Sequence, residues 1–172
     1  MRSFLSTSVL VMALGAALPA WADDTATLRM LLGSPDQLPV AAQVRSLDAE
    51  GRVLRGIAAD RRETRYVRMR AASLLGLYDR PEVRAGLDAL VAAADEDLEV
   101  RVQALGALTY LEGPQAVARL TRVLASPERV LREVAVIGLG RIGSAPARAA
   151  LERHRAVERD TGIRARLDRL QR

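Results

Sequence analysis

One phrase recurs along this chain: VRMRAASLLGLY from Val67, VRVQALGALTYL from Val100, LREVAVIGLGRI from Leu131 and a shortened IRARLDRL from Ile163. Successive copies start 33, 31 and 32 residues apart. A fixed period of roughly 20 to 50 residues means one structural unit repeated, each copy covering its apolar face only by stacking on the next. The period therefore predicts a solenoid.

Inside each copy the apolar residues follow a helix. Ala71, Leu74, Leu75 and Tyr78 stand 4, 7, 8 and 11 residues after Val67, a single stripe of an α-helix. Ala104, Ala107, Leu108 and Leu111 hold the same offsets from Val100, and Ala135, Gly138, Leu139 and Ile142 from Leu131. Small residues at the first two offsets let neighbouring helices approach closely. A breaker ends each first helix and a proline opens a second, at Pro81, Pro114 and Ala145-Pro146. In these second helices Leu87, Leu120 and Leu151 align, as do Leu90, Val123 and His154. Thr64, Asp97 and Asp160 each stand three residues before the Val or Ile of a first helix and are expected as N-caps or first-turn residues.

The expected repeats are 64–96, 97–127 and 128–159, with a partial one at 160–172. One period before Leu87 and Leu90 lie Leu54 and Ile57, so residues 23–63 are expected to form an atypical capping unit. Its second helix is expected near 52–59 and its first within 37–46, with a further short helix over 24–32.

Arg2, an apolar stretch from Val9 to Leu18, Pro19 and the pattern Ala20-Trp21-Ala22 have the order of a secretory signal peptide, with cleavage expected after Ala22. The apolar stretch is shorter than the roughly 18 to 20 residues that cross a bilayer. A periplasmic or secreted location is expected, with no stable membrane span after cleavage. Residues 23–172 fit one domain, and the chain has no cysteine. A stack of helices supplies enough core without disulfides. All 26 basic residues are arginine, as a GC-rich genome explains. Loss of the leader lowers the formal charge from +5 to +4, too mild to mark a nucleic-acid binder, and such a partner is not expected.

The Val-Arg start, the small residue four on, the Leu-Gly or its equivalent, the Pro-led second helix and the acid before the Val-Arg together resemble the HEAT-repeat family. The short bacterial repeats also described as PBS-lyase-like are the nearest kind, over roughly residues 36–171. The resemblance implies an all-α, right-handed α-solenoid of antiparallel helix pairs, armadillo-like in its superhelix, and protein binding as the usual role. It further implies that Arg68, Arg101, Arg132 and Arg164 form a structural ladder, pairing with acids such as Asp97 and Asp160 or with backbone carbonyls at the turns. Second helices line the concave face in that family. Their polar residues Arg55, Arg84, Asp88, Arg119, Arg122, Glu152 and Arg153 are therefore the candidate partner-binding positions. No bilin site is visible, so the lyase activity is not carried over.

Catalytic constellations are missing from the sequence, and no catalytic residue, cofactor or metal ligand is expected. GLGRIG from Gly138 to Gly143 spells a dinucleotide fingerprint, but that motif needs a strand before it and a helix opening at its end. Here it falls at the end of a first helix, where Gly138 and Gly140 suit close packing and Gly143 a C-terminal cap. His154 is the only histidine and is expected as a partly exposed capping residue, since Arg155 replaces the equivalent Leu124. No serine lies in a nucleophile-elbow context.

Charge alternates along the axis. Seven Arg crowd residues 52–70, seven acids crowd 79–99, and eight Arg crowd 145–172. Local ion pairing on solvated helices explains such a pattern, as does steering of an acidic partner. The leading functional reading is a non-enzymatic exported scaffold that binds a protein or peptide along its second helices. The alternatives are a binder of an anionic polymer through the Arg-rich segments, or an accessory or maturation subunit of an envelope enzyme.

Overall fold

The computed structural model describes residues 20–35 and 39–170. Most of the leader, residues 36–38 in the expected capping unit and the last two residues of the partial repeat lie outside the described residues. Among the described residues ten α-helices follow one another: α1 (Ala20–Gly33), α2 (Ala41–Leu47), α3 (Arg52–Ala59), α4 (Arg65–Leu74), α5 (Pro81–Ala92), α6 (Leu98–Glu112), α7 (Val117–Val123), α8 (Arg129–Ile142), α9 (Ala145–Arg155) and α10 (Thr161–Leu170). Short 3₁₀ turns, Leu75–Leu77 and Gly113–Ala116, extend α4 and lead into α7. No strand occurs among the described residues.

The contacts define two layers. The first helices α4, α6, α8 and α10 pack in sequence, and the second helices α3, α5, α7 and α9 pack against them, with α3 also on α5 and α7 on α9. This is an all-α solenoid of helix pairs. Its core is the set of residues the period aligned: Ala71, Ala104 and Ala135 are fully buried, as are Leu87 and Leu120 in the second layer. Leu54, Ile57, Ile163 and Leu167 extend the same columns to both ends. Helix α6 is the wall between two core clusters, giving Val100, Ala104 and Leu108 to one and Leu105 to the other.

The N-terminal unit departs from expectation. Helix α1, and not α2, packs on α4 in the layer of first helices, while α2 packs on α1. Burial explains the exchange: α1 carries the fully buried pair Leu28 and Leu32, one turn apart, whereas α2 is seven residues long and buries only Val44.

Helix ends follow local chemistry. Thr64 accepts a hydrogen bond from the Val67 amide at 3.3 Å, Ser144 from Ala147 at 3.3 Å, and Asp160 from Ile163 at 2.9 Å. Asp97 stands at the N-cap of α6 without a side-chain cap bond. Gly143 ends α8 at φ 59°, and its amide reaches Leu139 O, a left-handed C-cap. A Cβ at Gly138 would lie 2.9 Å from Leu120 Cδ1 and one at Gly140 2.9 Å from Leu170 Cδ1. The fingerprint-like glycines are thus packing and capping positions inside and at the end of a helix.

Candidate functional site

Arginines repeated in register reach the inter-repeat turns and tie neighbouring repeats together. Arg68, on α4, is buried: its Nε donates to Ala58 O at 3.0 Å, and its guanidinium pairs with Glu96 in the turn before α6. Arg101 repeats the first of these bonds, to Val91 O at 3.2 Å. Arg132 donates to Ser126 O at 3.1 Å and Pro127 O at 3.0 Å, and grips Glu158 at 2.9 and 3.2 Å. Arg164 is exposed and makes no side-chain hydrogen bond or ion pair among the described residues.

Of the expected acids, Asp97 pairs with Arg68 at 3.6 Å, whereas Asp160 pairs with Arg129 at 2.8 Å. The closer partners are Glu96 on the buried Arg68 and Glu158 on the partly buried Arg132. Burial alone raises a carboxyl's pKa. At Glu96 that effect is outweighed by the Arg68 hydrogen bond and the Asp97 amide, which hold it below its ordinary value. Glu158 is held at about 2, first by the Arg132 hydrogen bond, against burial, with the amides of Asp160 and Arg159 and the His154 ring assisting.

His154 is buried, contrary to the expected exposed cap. Its Nε2 lies 2.8 Å from Glu158 Oε2, one turn further on. An ionised carboxylate only accepts, so the ring donates from Nε2. Glu158 thereby ties α9 and the turn after it to Arg132 on α8.

A second set of contacts spans one period. Arg61 pairs with Asp95 at 2.8 Å, Arg65 with Glu99 at 3.5 Å, Arg166 with Glu133 at 3.3 Å and Arg80 with Glu50 at 3.5 Å, and Arg29 pairs with Glu63. The basic block of residues 52–70 is therefore largely spent on acids of its own turn or the next repeat.

The seven second-helix candidates divide in two. The Arg55 stem lies against Gly86 on α5, with its Nε buried and unpartnered among the described residues. Arg84 binds Asp79 and Leu111 O, at 2.6 and 3.1 Å. Arg119 bridges Asp88 on α5 and Glu112 on α6, the latter at 2.8 Å, and these bonds raise its already high pKa, Glu112 contributing most. In contrast Arg122, Glu152 and Arg153 are exposed and make no side-chain hydrogen bond or ion pair among the described residues.

Beside Arg153 an open groove of about 500 Å³ runs between the C-terminal ends of α7 and α9. Leu124 and Ala150 line it, with Ser126, Val157 and Arg159 at the turns. Sequence reading passed over these turn residues; the signals were the His154–Glu158 spacing of one turn and the one-period spacing of opposite charges. Among the described residues no group of three or more His, Cys, Asp or Glu is placed to hold a metal, and no helix is long and apolar enough to cross a membrane.

Stacked helix pairs, turn arginines and cross-repeat ion pairs define a helical-repeat protein with an extended face. A family model described as HEAT repeats matches residues 87–170, and this part of the chain belongs to the HEAT-repeat family. No curated protein matches the sequence. HEAT repeats are generally protein-interaction scaffolds and typically not enzymes.

Proposed function

We propose that this protein is a non-enzymatic scaffold, working in the periplasm or outside the cell, that binds a protein or peptide along the face of its second helices. The observation that supports the binding reading is the row of exposed charges Arg122, Glu152 and Arg153 on α7 and α9, which no described residue of the fold uses. Charges left without internal partners stay available to an incoming chain, whereas Asp88 and Arg119 are already paired. The leader-like order of residues 2–22 supports the exported location. Binding of an anionic polymer is weaker as a reading, since Arg61, Arg62, Arg65, Arg68, Arg129, Arg132, Arg155 and Arg166 all have acidic partners.

Affinity capture from periplasm and culture medium with the wild-type protein and an R122E/E152R variant tests this. The expected result is a protein partner held by the wild type and released by the variant. Equal recovery with both proteins, or recovery of polysaccharide or nucleic acid alone, overturns it. Secretion is checked separately, by locating the full chain and sequencing the N-terminus of the exported form.

A further inference from the structure

The groove between the C-terminal ends of α7 and α9 combines two chemistries in one place. Its walls include Leu124 and Ala150, and at its rim Val157 is 70% exposed, a large aliphatic side chain left in water. Two lining cations, Arg153 and Arg159, are exposed and have no side-chain hydrogen bond or ion pair among the described residues. The carboxylate in the lining, Glu158, offers no compensation: both its oxygens are taken by Arg132, the His154 ring and the amides of Arg159 and Asp160. The third lining cation, Arg132, is spent on that same carboxylate and on two carbonyls. What remains facing outward is uncompensated positive charge around an apolar floor.

We propose that this groove receives an acidic peptide segment in which carboxylates alternate with aliphatic side chains. The proposal rests on the scaffold reading above and supplies its partner chemistry. Arg153 and Arg159 present planar forks that match carboxylates, and an aliphatic side chain beside them covers Val157 and the floor. An all-polar anion satisfies the cations and leaves the apolar surface wet. A purely apolar segment does the reverse and leaves the arginines without partners.

The probe is a dye-labelled peptide containing Glu-Leu-Glu-Val between Gly-Ser flanks, with one analogue carrying Gln for Glu and another carrying Ser for Leu and Val. Anisotropy titrations are run with wild type, R153E/R159E and V157S, from about 50 to about 300 mM NaCl. Backbone amide shifts locate the site. Wild type is expected to bind the parent peptide best and to lose affinity with salt. R153E/R159E is expected to lose roughly tenfold or more, two charge-assisted contacts being reversed, and V157S to bind more weakly. The shifts are expected within 121–126 and 150–159. Since both arginines are exposed, circular dichroism is expected to show R153E/R159E folded like the wild type.

Absence of binding, binding unchanged in folded R153E/R159E, or equal binding of a dT12 oligonucleotide each overturns the groove. So do shifts confined to α3 and α5, or a captured protein that R153E/R159E still retains, but these two outcomes leave the scaffold reading standing.

Discussion

Arg68 joins two repeats through Glu96, and both side chains are only 4% exposed. The arginine leaves α4, satisfies the carbonyl of Ala58 at the end of α3 and meets the acid in the turn before α6. Arg101 makes the same carbonyl bond with no acid partner among the described residues. This pair of sites separates the two contributions. Removing one partner of a buried ion pair costs about 3 to 5 kcal/mol because the other charge is stranded, whereas a hydrogen bond from a charged donor is worth about 1.5 to 3 kcal/mol. Urea unfolding is expected to rank R68M as clearly more damaging than R101M, with R68M/E96Q recovering part of the loss. Equal costs at the two sites would mean that the carbonyl bond, and not Glu96, carries the junction.

Glu158 makes the C-terminal repeats acid-sensitive. Its folded pKa of about 2 lies below the ordinary 4.5, chiefly through Arg132. A depressed carboxylate contributes its full stability above the unfolded pKa and loses it as pH falls toward the folded one. At about 1.4 kcal/mol per pH unit the contribution is on the order of 3 kcal/mol, present at neutral pH and lost between about pH 5 and 2. Glu96 and Asp160 are shifted in the same direction and add to the slope. Urea midpoints measured from neutral pH to pH 3 are expected to show the wild type's advantage over E158Q shrinking with acid. An advantage constant across that range would remove Glu158 as the titrating group.

Much of this structure was legible because a solenoid repeats its solutions. Offsets from Val67 carried over to Val100 and Leu131, and the residues they named are buried, apart from the half-buried Leu74, Leu111 and Ile142. Register said less where the copies differ. Every inter-repeat turn spans five residues, but the acid that closes on the arginine stands fourth in one and third in another, so Glu96 and Glu158 lead the pairing while Asp97 stays beside Arg68 and Asp160 goes to Arg129. His154 stands in the column of Leu90 and Val123, and its polarity suggested exposure, yet an acid one turn later lets it be buried with a partner. At the N-terminus the stacking helix lies outside the repeat pattern, so its identity depended on the depth of the Leu28 and Leu32 stripe. The free charges of α7 and α9 were visible only by elimination, once every internal pair had been placed.

Three glycines in first helices predict three different outcomes for alanine. Gly106 faces open space within α6, so G106A gains helix propensity of about 1 kcal/mol with no clash. At Gly138 the added methyl meets Leu120, which is fully buried and has nowhere to move, so overpacking of about 1 to 3 kcal/mol outweighs that gain. At Gly140 the obstacle is Leu170, 44% exposed and able to swing aside, so G140A is expected within about 1 kcal/mol of wild type. Thermal melts of the three variants test the order G106A above G140A above G138A. A stabilised G138A would show that the packing between α7 and α8 is looser than the Leu120 contact implies.

The division of the second-helix charges predicts a division of mutant effects. Arg119 is held by Asp88 and Glu112, and the Glu112 side chain is only 13% exposed, so R119A strands a poorly hydrated carboxylate and is expected to cost about 1 to 3 kcal/mol. Arg122 and Arg153 have no described partner to strand, and reversing an exposed, unpaired charge changes stability by about 0.5 kcal/mol or less. Urea midpoints for R119A, R122E and R153E therefore separate the internal pairs from the charges available to a partner. If R153E destabilises as much as R119A, Arg153 belongs to the fold, and its exposure no longer argues for binding.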